Sequence, residues 1–286
     1  MHLVIALTSI LFLTVYAQAK SSDDTAGYSD NSTSESGCLK KFCVSVETHL
    51  EALNTELTYV NQTLSCDDLL PFGRPNAEVI LLCRAGYAAG YDCSKRSALW
   101  VSYTVTPSIH NSANVSRSND FRTDLELPKK CRKELNDFTD GYDRGHLVSS
   151  ATLDANREMN SETFLLSNIS PQLPEFNRAI WRGLENLERN WSNERGSVNV
   201  IAGPIFNGEQ PSLGLPIPTH FYKIIIDPAR SEAISFLLPH EALSIAQLDR
   251  YRTSIDKIES ISGIDFLSLL ADDAETSLEK QVSKGW

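Results

Sequence analysis

The stretch 220-HFYKIIIDPARSEAISFLLP-239 decides the fold class, because it holds two strand-length apolar runs on either side of a short polar segment. Both runs are rich in β-branched and aromatic residues, which suit a buried, pleated surface. Similar runs occur at 77–82 (AEVILL), 86–92 (GYAAGYD), 98–106 (ALWVSYTVT), 163–170 (TFLLSNIS) and 197–206 (SVNVIAGPIF). Because GYAAGYD and ALWVSYTVT are joined by the short CSKRS segment, they predict a hairpin. We therefore predict one α+β domain over residues 75–270, with a mainly antiparallel central sheet flanked by helices.

One long helix is predicted at 175–191, where EFNRAIWRGLENLERNW follows Pro174. Its buried stripe recurs at helical spacing: Ile180, Leu184, Leu187 and Trp191. A second row, in which each residue lies four from the last, follows one edge: Asn177, Trp181, Glu185 and Arg189. This row suits a hydrated cation beside a phosphate, while an amphipathic border with a Glu185–Arg189 pair remains the alternative. A further helix is predicted at 43–58, and residues 107–140 are predicted to be loop.

The two ends of the chain differ in composition from the middle. Residues 1–19 are interpreted as a signal peptide cleaved after Ala19, because the apolar stretch is shorter than the ~20 residues that a membrane span needs. A membrane anchor is the alternative. Residues 20–74 are expected to form a partly flexible, cysteine-containing extension, and residues 271–286 an acidic, frayed tail. Export would make the protein secreted or periplasmic, with no membrane contact after cleavage.

The chain has six cysteines, which in an exported protein favour three disulfide bonds. The pairing is open among Cys38, Cys43, Cys66, Cys83, Cys93 and Cys131. Zinc is the weaker interpretation, because the chain has no CxxC pair. Asn168 lies in a glycosylation sequon and is expected to be buried and unmodified.

A net charge of −11 is unusual for a protein that binds nucleic acid. Much of the acidity lies in residues 20–60 and 241–286, and basic residues cluster between them: Lys129, Lys130, Arg132, Lys133, Arg178, Arg182, Arg189 and Arg195. Since the local field decides where a phosphate binds, the middle of the chain stays compatible with an anionic substrate. A solvated basic surface is the alternative interpretation of each cluster.

The segment 140-DGYDRGHLVSS-150 supplies the residue types that phosphodiester hydrolysis needs. His146 can accept the proton of an attacking water, although a buried core histidine is the alternative. Arg144 and Arg189 can contact a phosphate. Mg²⁺, with Mn²⁺ as a possible substitute, suits the carbonyl oxygen of Asn177 and a water shell held by Glu185. Of the other histidines, His220 is expected to be structural, and His49, His110 and His240 are expected at the surface.

DRGHL at 143–147 and LSNISPQLPEFNRAIWRGLE at 166–185 carry a resemblance to a known family. The chain resembles the non-specific DNA/RNA endonucleases of the ββα-metal class, which includes endonuclease G and secreted bacterial nucleases. The segments YDCSKRSALWVSYTVTP, IAGPIF, PTHFYK and YRTSIDKIESISGIDF are similar to family segments in the same order. The resemblance covers about residues 80–270 and implies a ββα-metal finger at the active site.

The resemblance also implies roles for single residues. His146 would be the general base, Asn177 the direct ligand of one Mg²⁺, and Glu185 the residue that holds metal-bound water. Asn168 would help to fix the site, and Arg144 and Arg189 would contact phosphate. An upstream arginine is implied as well, with Arg117 and Arg122 as the two candidates.

The implied activity is endonucleolytic cleavage of DNA and RNA with little sequence specificity, leaving 5′-phosphate ends. Two alternatives stay open. One is an exported nucleic-acid-binding protein of the same fold that lacks catalysis, and the other is a disulfide-braced structural or adhesive protein. The oligomeric state is left open.

Overall fold

The computed structural model describes residues 66–75, 79–111, 115–207 and 214–286. The predicted signal peptide, the helix predicted at 43–58 and most of the N-terminal extension lie outside these residues. Within them, no helix is both long and apolar enough to span a bilayer.

Seven strands form one antiparallel sheet in the order β1-β2-β3-β6-β7-β8-β9, and β4 and β5 form a separate two-stranded ribbon. The strands are β1 Ile80–Cys83, β2 Ala88–Asp92, β3 Ser97–Val105, β4 Asp143–His146, β5 Ile169–Gln172, β6 Val198–Ile205, β7 His220–Asp227, β8 Glu232–Pro239 and β9 Arg252–Thr253. The predicted hairpin is therefore confirmed as β2–β3, and the quoted stretch forms the β7–β8 hairpin.

The helices cover both faces of the large sheet. They are α1 Pro107–His110, α2 Arg157–Glu162, α3 Arg182–Arg195, α4 Ile255–Ser262 and α5 Asp272–Glu279, with 3₁₀ turns at Cys66–Leu69, Lys129–Cys131, Leu135–Asp137, Leu166–Asn168 and Ile245–Tyr251. A π-helical segment, Phe176–Trp181, runs directly into α3. We call these two segments together the long helix.

Two apolar cores explain why the central strands are buried on both faces. One core places Ile180, Trp181 and Leu184 of the long helix against one face of the sheet. The other places Ile255 and Ile258 of α4 against the opposite face, together with residues such as Phe266 and Leu278. The prediction of an α+β fold with a mainly antiparallel sheet is confirmed. Strand β1 is less buried than AEVILL suggested, because it is an edge strand of this sheet.

The ribbon β4–β5 positions the DRGH segment. Its register pairs Gly145 with Ser170 and His146 with Ile169. Gly145 allows a close approach, because a Cβ atom there would lie 2.2 Å from Cδ of Gln172. A larger residue at position 145 would therefore displace Gln172 from the ribbon.

Two expectations about local structure were wrong. TFLLSNIS is not a strand over its whole length: residues 166–168 form a 3₁₀ turn, and the strand begins at Ile169. The reason is Asn168, whose amide side chain bonds to backbone groups of Val148 and Thr163 and so competes with strand pairing.

The C-terminal tail is not frayed. Residues Asp272–Glu279 are helical, and the ring of Trp286 lies against Trp191 and under the guanidinium of Arg195. The acidic residues that suggested a solvated tail include Asp272, Asp273 and Glu275 in the first turn of α5, where they favour the positive end of the helix dipole.

Two disulfide bonds lie within the described residues, Cys66–Cys83 and Cys93–Cys131. The first joins the segment before the sheet to β1. The second joins the β2–β3 turn to the loop that precedes β4. These bonds fit a protein of an oxidising compartment. Cys38 and Cys43 lie outside the described residues.

Candidate active site

His146 ends strand β4 and is only 8% exposed. Its ring forms a cluster with two aromatic rings, with centroids 5.5 Å from Phe121 and 4.9 Å from Phe164, and those two rings are 5.0 Å from each other. The indole Nε1 of Trp181 donates a hydrogen bond to its backbone carbonyl, at 2.9 Å. This bond ties the end of β4 to the long helix.

Burial lowers the pKa of His146 to about 3, and the positive charge of Arg117 acts in the same direction. The imidazole is therefore neutral near pH 7, and one ring nitrogen carries a lone pair that can accept a proton. Within the described residues, Nε2 has no hydrogen-bond partner. A core histidine with no catalytic role would be buried in the same way. Burial alone therefore does not distinguish a general base from a core histidine, and the neighbouring residues have to be considered.

Asn177 lies in the first turn of the π-helical segment, and Asp143 fixes the orientation of its amide. Its Nδ2 donates to Oδ2 of Asp143 at 2.9 Å, and because a carboxylate can only accept, the amide nitrogen must face β4. Arg178 binds the same carboxylate through two nitrogens, at 2.8 and 2.6 Å. The hydrogen bond from Arg178 is the main reason that the pKa of Asp143 is lowered. Asp143 thus joins the strand that carries His146 to the helix that carries Asn177.

Glu185 lies further along the long helix and is partly buried. Burial raises the pKa of its carboxyl to about 7, while Lys223, Arg189 and a hydrogen bond from Ser149 oppose this rise. Ser149 is three residues from His146, so the Glu185 carboxyl borders the same region as the end of β4. The carboxyl has no ion-pair partner among the described residues; the Glu185–Arg189 pair expected of a simple amphipathic border is not formed.

The wide π-helical turn was not expected from the sequence. The backbone N–H of Arg182 reaches the carbonyl of Asn177, five residues back, as well as that of Ala179. A π-helical turn inserts extra backbone relative to an α-helix and often occurs at functional sites. Here it separates the turn that carries Asn177 from the regular helix that carries Glu185.

Two of the four candidate arginines lie over the aromatic rings next to His146. The guanidinium of Arg144 lies 4.9 Å from the centroid of Phe121, and that of Arg117 lies 4.8 Å from the centroid of Phe164. Each ring that flanks His146 is therefore covered by one arginine. Arg117 also donates to Ser150 at 2.6 Å. Arg144 and His146 project on the same face of β4, since they are two residues apart in a strand.

Arg189 and Arg122 are held in different ways. Arg189 donates to Oγ1 of Thr152 at 3.0 Å and also to Asn186. Arg122 forms an ion pair with Asp120 at 2.7 Å and donates to the carbonyl of Ser161 at 2.9 Å. Of the two upstream candidates, Arg117 is the one that faces His146.

Asn168 is fully buried, and its side chain bonds only to backbone. Its Oδ1 accepts from the N–H of Val148, and its Nδ2 donates to the carbonyls of Val148 and Thr163. Asn168 therefore holds the chain just after His146 in place and does not itself present a free polar group to a substrate. Full burial also matches the expectation that its sequon is inaccessible.

Sequence reasoning missed several residues that shape this region. Asp143 belongs to the DRGH segment, but the sequence did not indicate its role. Phe121 was also assigned no role, although it lies between the candidate residues Arg117 and Arg122 in the sequence. Sequence reasoning also missed a buried ion pair beneath the site, in which Lys223 binds Glu188 at 2.6 Å. Lys223 sits within an otherwise apolar strand, which was the one available signal.

Three expectations about basic and histidine side chains need correction. Lys129 and Lys130 are exposed, but Lys133 is buried and donates to the carbonyl of Ile169, so it braces β5 and cannot contact a phosphate. His110 is buried and bonds to Ser192 at 2.8 Å. His240 is partly buried, with both ring nitrogens bonded, and is not a surface residue. His49 lies outside the described residues.

Comparisons with known proteins point in one direction. The family model described as "DNA/RNA non-specific endonuclease" matches residues 68–273. The chain is 33% identical to "Nuclease" of Syncephalastrum racemosum, over 71% of this chain and 72% of the relative. It is 30% identical to "Endonuclease G, mitochondrial" of Homo sapiens, over 70% of this chain and 73% of the relative.

A solved structure is similar as well. The chain in "Crystal structure of the EndoG/EndoGI complex: Mechanism of EndoG inhibition" superimposes with a TM-score of 0.67 at 26% identity, covering 73% of this chain and 94% of that one. Its fold is that of a ββα-metal nuclease. The chain described here belongs to the DNA/RNA non-specific endonuclease family, a family of metal-dependent hydrolases that act on nucleic acids.

Proposed function

We propose that this protein is an exported endonuclease that hydrolyses phosphodiester bonds of DNA and RNA with little sequence specificity. The observation that carries the proposal is the double link between β4 and the long helix. Asp143 binds Asn177, and Trp181 binds the backbone of His146, so the strand that carries the proposed base is tied twice to the helix that carries the proposed metal ligand.

In this proposal His146 removes the proton of the attacking water. Burial keeps its imidazole neutral and so leaves a lone pair on the ring, although the lowered pKa also makes it a weaker base than a free histidine. Arg144 and Arg117, which cover the two rings beside His146, bind the phosphate near the base. Arg189, steadied by Thr152, supplies a further positive charge as negative charge develops on phosphorus.

The donor set fits a hard divalent cation. Because Nδ2 of Asn177 is engaged by Asp143, its carbonyl oxygen is the atom left for a ligand, and no described residue donates to it. Glu185 supplies a second oxygen donor, acting through water. A bound Mg²⁺, for which Mn²⁺ is the alternative, would polarise the phosphate and stabilise the leaving oxygen. Asn177 and Glu185 would hold the ion, and the remaining residues bind and orient the substrate.

Two finer points belong to the same proposal. Cleavage leaves 5′-phosphate ends, and the protein reads the backbone of its substrate and not its bases. The chain is exported by residues 1–19 and cleaved after Ala19, which agrees with the two disulfide bonds. N-terminal sequencing of the protein recovered from the medium or the periplasm tests the cleavage site.

The central experiment incubates the protein with plasmid DNA and with RNA, with Mg²⁺ or with chelator, beside the His146→Ala variant. We expect cleavage with Mg²⁺ only and a loss of roughly 10²–10⁴-fold in the variant. Products should accept a 5′ label only after phosphatase treatment. Equal cleavage by the wild type and the variant would remove His146 from the mechanism. Binding of nucleic acid without any cleavage would replace the nuclease with the catalytically inactive binding protein.

A further inference from the structure

His240, which directly follows β8, lies against the start of the long helix. Its Nδ1 lies 2.9 Å from the carbonyl oxygen of Pro218. Its Nε2 lies 2.7 Å from the backbone nitrogen of Leu173. Its own backbone N–H donates to the carbonyl of Thr219 at 2.9 Å. One side chain thus connects the segment before β7 with the residue that follows β5.

The partners of His240 determine its protonation state. A carbonyl oxygen can only accept, so Nδ1 must carry a hydrogen. The N–H of Leu173 can only donate, so Nε2 must offer a lone pair. Both bonds form together only in the neutral ring with its hydrogen on Nδ1. A protonated ring would place an N–H against the N–H of Leu173.

Leu173 connects His240 to the proposed metal ligand. The carbonyl of Leu173 accepts from the backbone N–H groups of Phe176, at 3.0 Å, and Asn177, at 2.8 Å. These bonds form the first turn of the long helix. Leu173 is therefore bonded on both sides: its N–H donates to His240, and its carbonyl accepts from the N–H of Asn177.

The surroundings of His240 favour its neutral form. Its ring packs against Phe176 and Phe221, with centroids 5.3 and 5.1 Å away, and against Tyr142 at 6.2 Å. Ionisable groups on the neighbouring elements are Tyr142, Asp143, Glu175, Arg178, His220 and Glu241. None of these groups bonds to the His240 ring among the described residues, and Asp143 is committed to Arg178 and Asn177. Burial lowers the pKa of His240, and the bond to Pro218 opposes that shift.

We propose that His240 is a positioning residue for the nuclease reaction: its neutral ring holds the start of the long helix, and a proton on that ring releases Leu173 and with it the placement of Asn177. The link to catalysis rests on the proposed role of Asn177. The link to Leu173 does not, so the two are tested separately.

Two substitutions separate the two bonds of the ring. His240→Gln places an acceptor oxygen where Nε2 lies and does not titrate. His240→Asn reaches only as far as Nδ1, so it keeps the donor to Pro218 and loses the acceptor for Leu173. The pair therefore keeps or removes the bond to Leu173 with uncharged side chains of similar polarity.

The first readout is amide hydrogen exchange of residues 173–178 in the metal-free protein, corrected for the intrinsic effect of pH. Between pH 7.5 and 5 we expect the wild type to lose about tenfold protection there. His240→Gln should lose much less, and His240→Asn should lack the protection at both pH values. Equal exchange in all three proteins at all pH values would overturn the proposal. If His240→Asn does not fold, the pH dependence of the wild type against His240→Gln still decides.

The second readout is cleavage as a function of pH and Mg²⁺ concentration. His146 is common to all three proteins, so its titration cancels in the ratio of His240→Gln to wild type, which should rise as the pH falls. His240→Asn should require about 10–100-fold more Mg²⁺ for half-maximal activity. An unchanged ratio and an unchanged Mg²⁺ requirement would refute the role in catalysis. Exchange that follows expectation in a protein without any nuclease activity would instead refute the proposed function and leave the contact with Leu173 intact.

Discussion

Glu185 and Glu188 lie one turn apart on the same helix and have opposite surroundings. Glu188 is fully buried and fully bonded: Lys223 binds it at 2.6 Å, Tyr103 donates at 3.0 Å and Thr152 at 2.9 Å. Glu185 is partly buried, and its pKa is raised to about 7 mainly by burial. A carboxylate whose two oxygens both accept hydrogen bonds from buried groups holds structure together, whereas a carboxyl such as that of Glu185, with Ser149 as its donor, can also bind a water or an ion.

The buried group around Glu188 supports the site from below. Lys223 lies 4.7 Å from the centroid of the Trp181 ring, and Trp181 holds the carbonyl of His146. Thr152 joins Glu188 to Arg189. The ion pair therefore touches residues on both sides of the site without facing a substrate itself. Loss of this ion pair should mainly lower the free energy of unfolding, whereas loss of the Glu185 carboxyl should mainly lower the rate of cleavage.

The largest expected effect is that of Glu188→Ala on stability. Removing one partner of a buried ion pair leaves Lys223 as an uncompensated buried charge, which costs about 3–5 kcal/mol in the free energy of unfolding. Denaturant unfolding measures this loss. The matched control is Glu188→Gln with Lys223→Met, which removes both charges. The amide oxygen can still accept from Thr152, and the amide nitrogen can donate to the Tyr103 hydroxyl. This double variant should recover most of the loss. A cost below about 1 kcal/mol for Glu188→Ala would show that the pair is not structural.

The next effect is that of Glu185→Gln on activity. If Glu185 holds metal-bound water, the neutral amide should lower the rate of cleavage at saturating Mg²⁺ by about 10–100-fold. The unfolding free energy should stay the same or rise at pH 8, because the amide replaces a carboxyl that burial disfavours as an anion. The comparison is made by measuring both quantities for Glu185→Gln and for Glu188→Gln. If Glu185→Gln unfolds the protein or leaves the rate of cleavage unchanged, the distinction between a functional Glu185 and a structural Glu188 is wrong.

The two glutamates also illustrate which features of the structure could be predicted from the sequence and which could not. The strands of the β7–β8 hairpin could be predicted, because both are apolar runs rich in β-branched and aromatic residues. The long helix could be predicted from the spacing of Ile180, Leu184 and Trp191. These signals are local, and the packing of the sheet on both faces agrees with them.

Contacts between distant segments could not be predicted. Nothing near Glu188 in the sequence indicates that Lys223, on a strand of the sheet, becomes its partner. The sequence could not separate Arg117 from Arg122 either. The choice depends on contacts between distant segments: Asp120 and the carbonyl of Ser161 bind Arg122, whereas the charge of Arg117 acts on His146. The site residues that the resemblance implied stay predictions, and the bond by which Asp143 joins Asn177 to β4 could be found only from coordinates.

Glu279 can be compared with Glu185 and Glu188, because it is a buried carboxyl that has no lysine or arginine partner among the described residues and lies outside the proposed site. Glu279, in α5, is 9% exposed. Burial raises its pKa to about 7, and the negative charges of Glu259, Glu275 and Asp256 act in the same direction. Glu259, in α4, shares a hydrogen bond with Glu279, and its pKa is raised as well, mainly by burial. Glu279 thus has another carboxyl, that of Glu259, as its neighbour, whereas Glu188 has Lys223. The raised pKa of Glu279 favours its protonated form.

The smallest expected effect is that of Glu279→Gln, and its sign depends on pH. The folded-state pKa of Glu279 lies above the unfolded value, so the fold favours the protonated form. The stability that this form contributes is fully present below about pH 4.5 and is lost as the pH rises through 7. The glutamine variant, which is always neutral, should match the wild type near pH 4.5 and exceed it by about 1 kcal/mol at pH 8.5, after allowance for solvent screening. Thermal unfolding at the two pH values measures the difference. Shared groups that do not interact with Glu279 cancel, and the measured effect belongs to the Glu259–Glu279 pair. A difference independent of pH would mean that the pKa of Glu279 is the same in the folded and unfolded protein, and that burial without a cation does not by itself raise the pKa of a carboxyl in this protein.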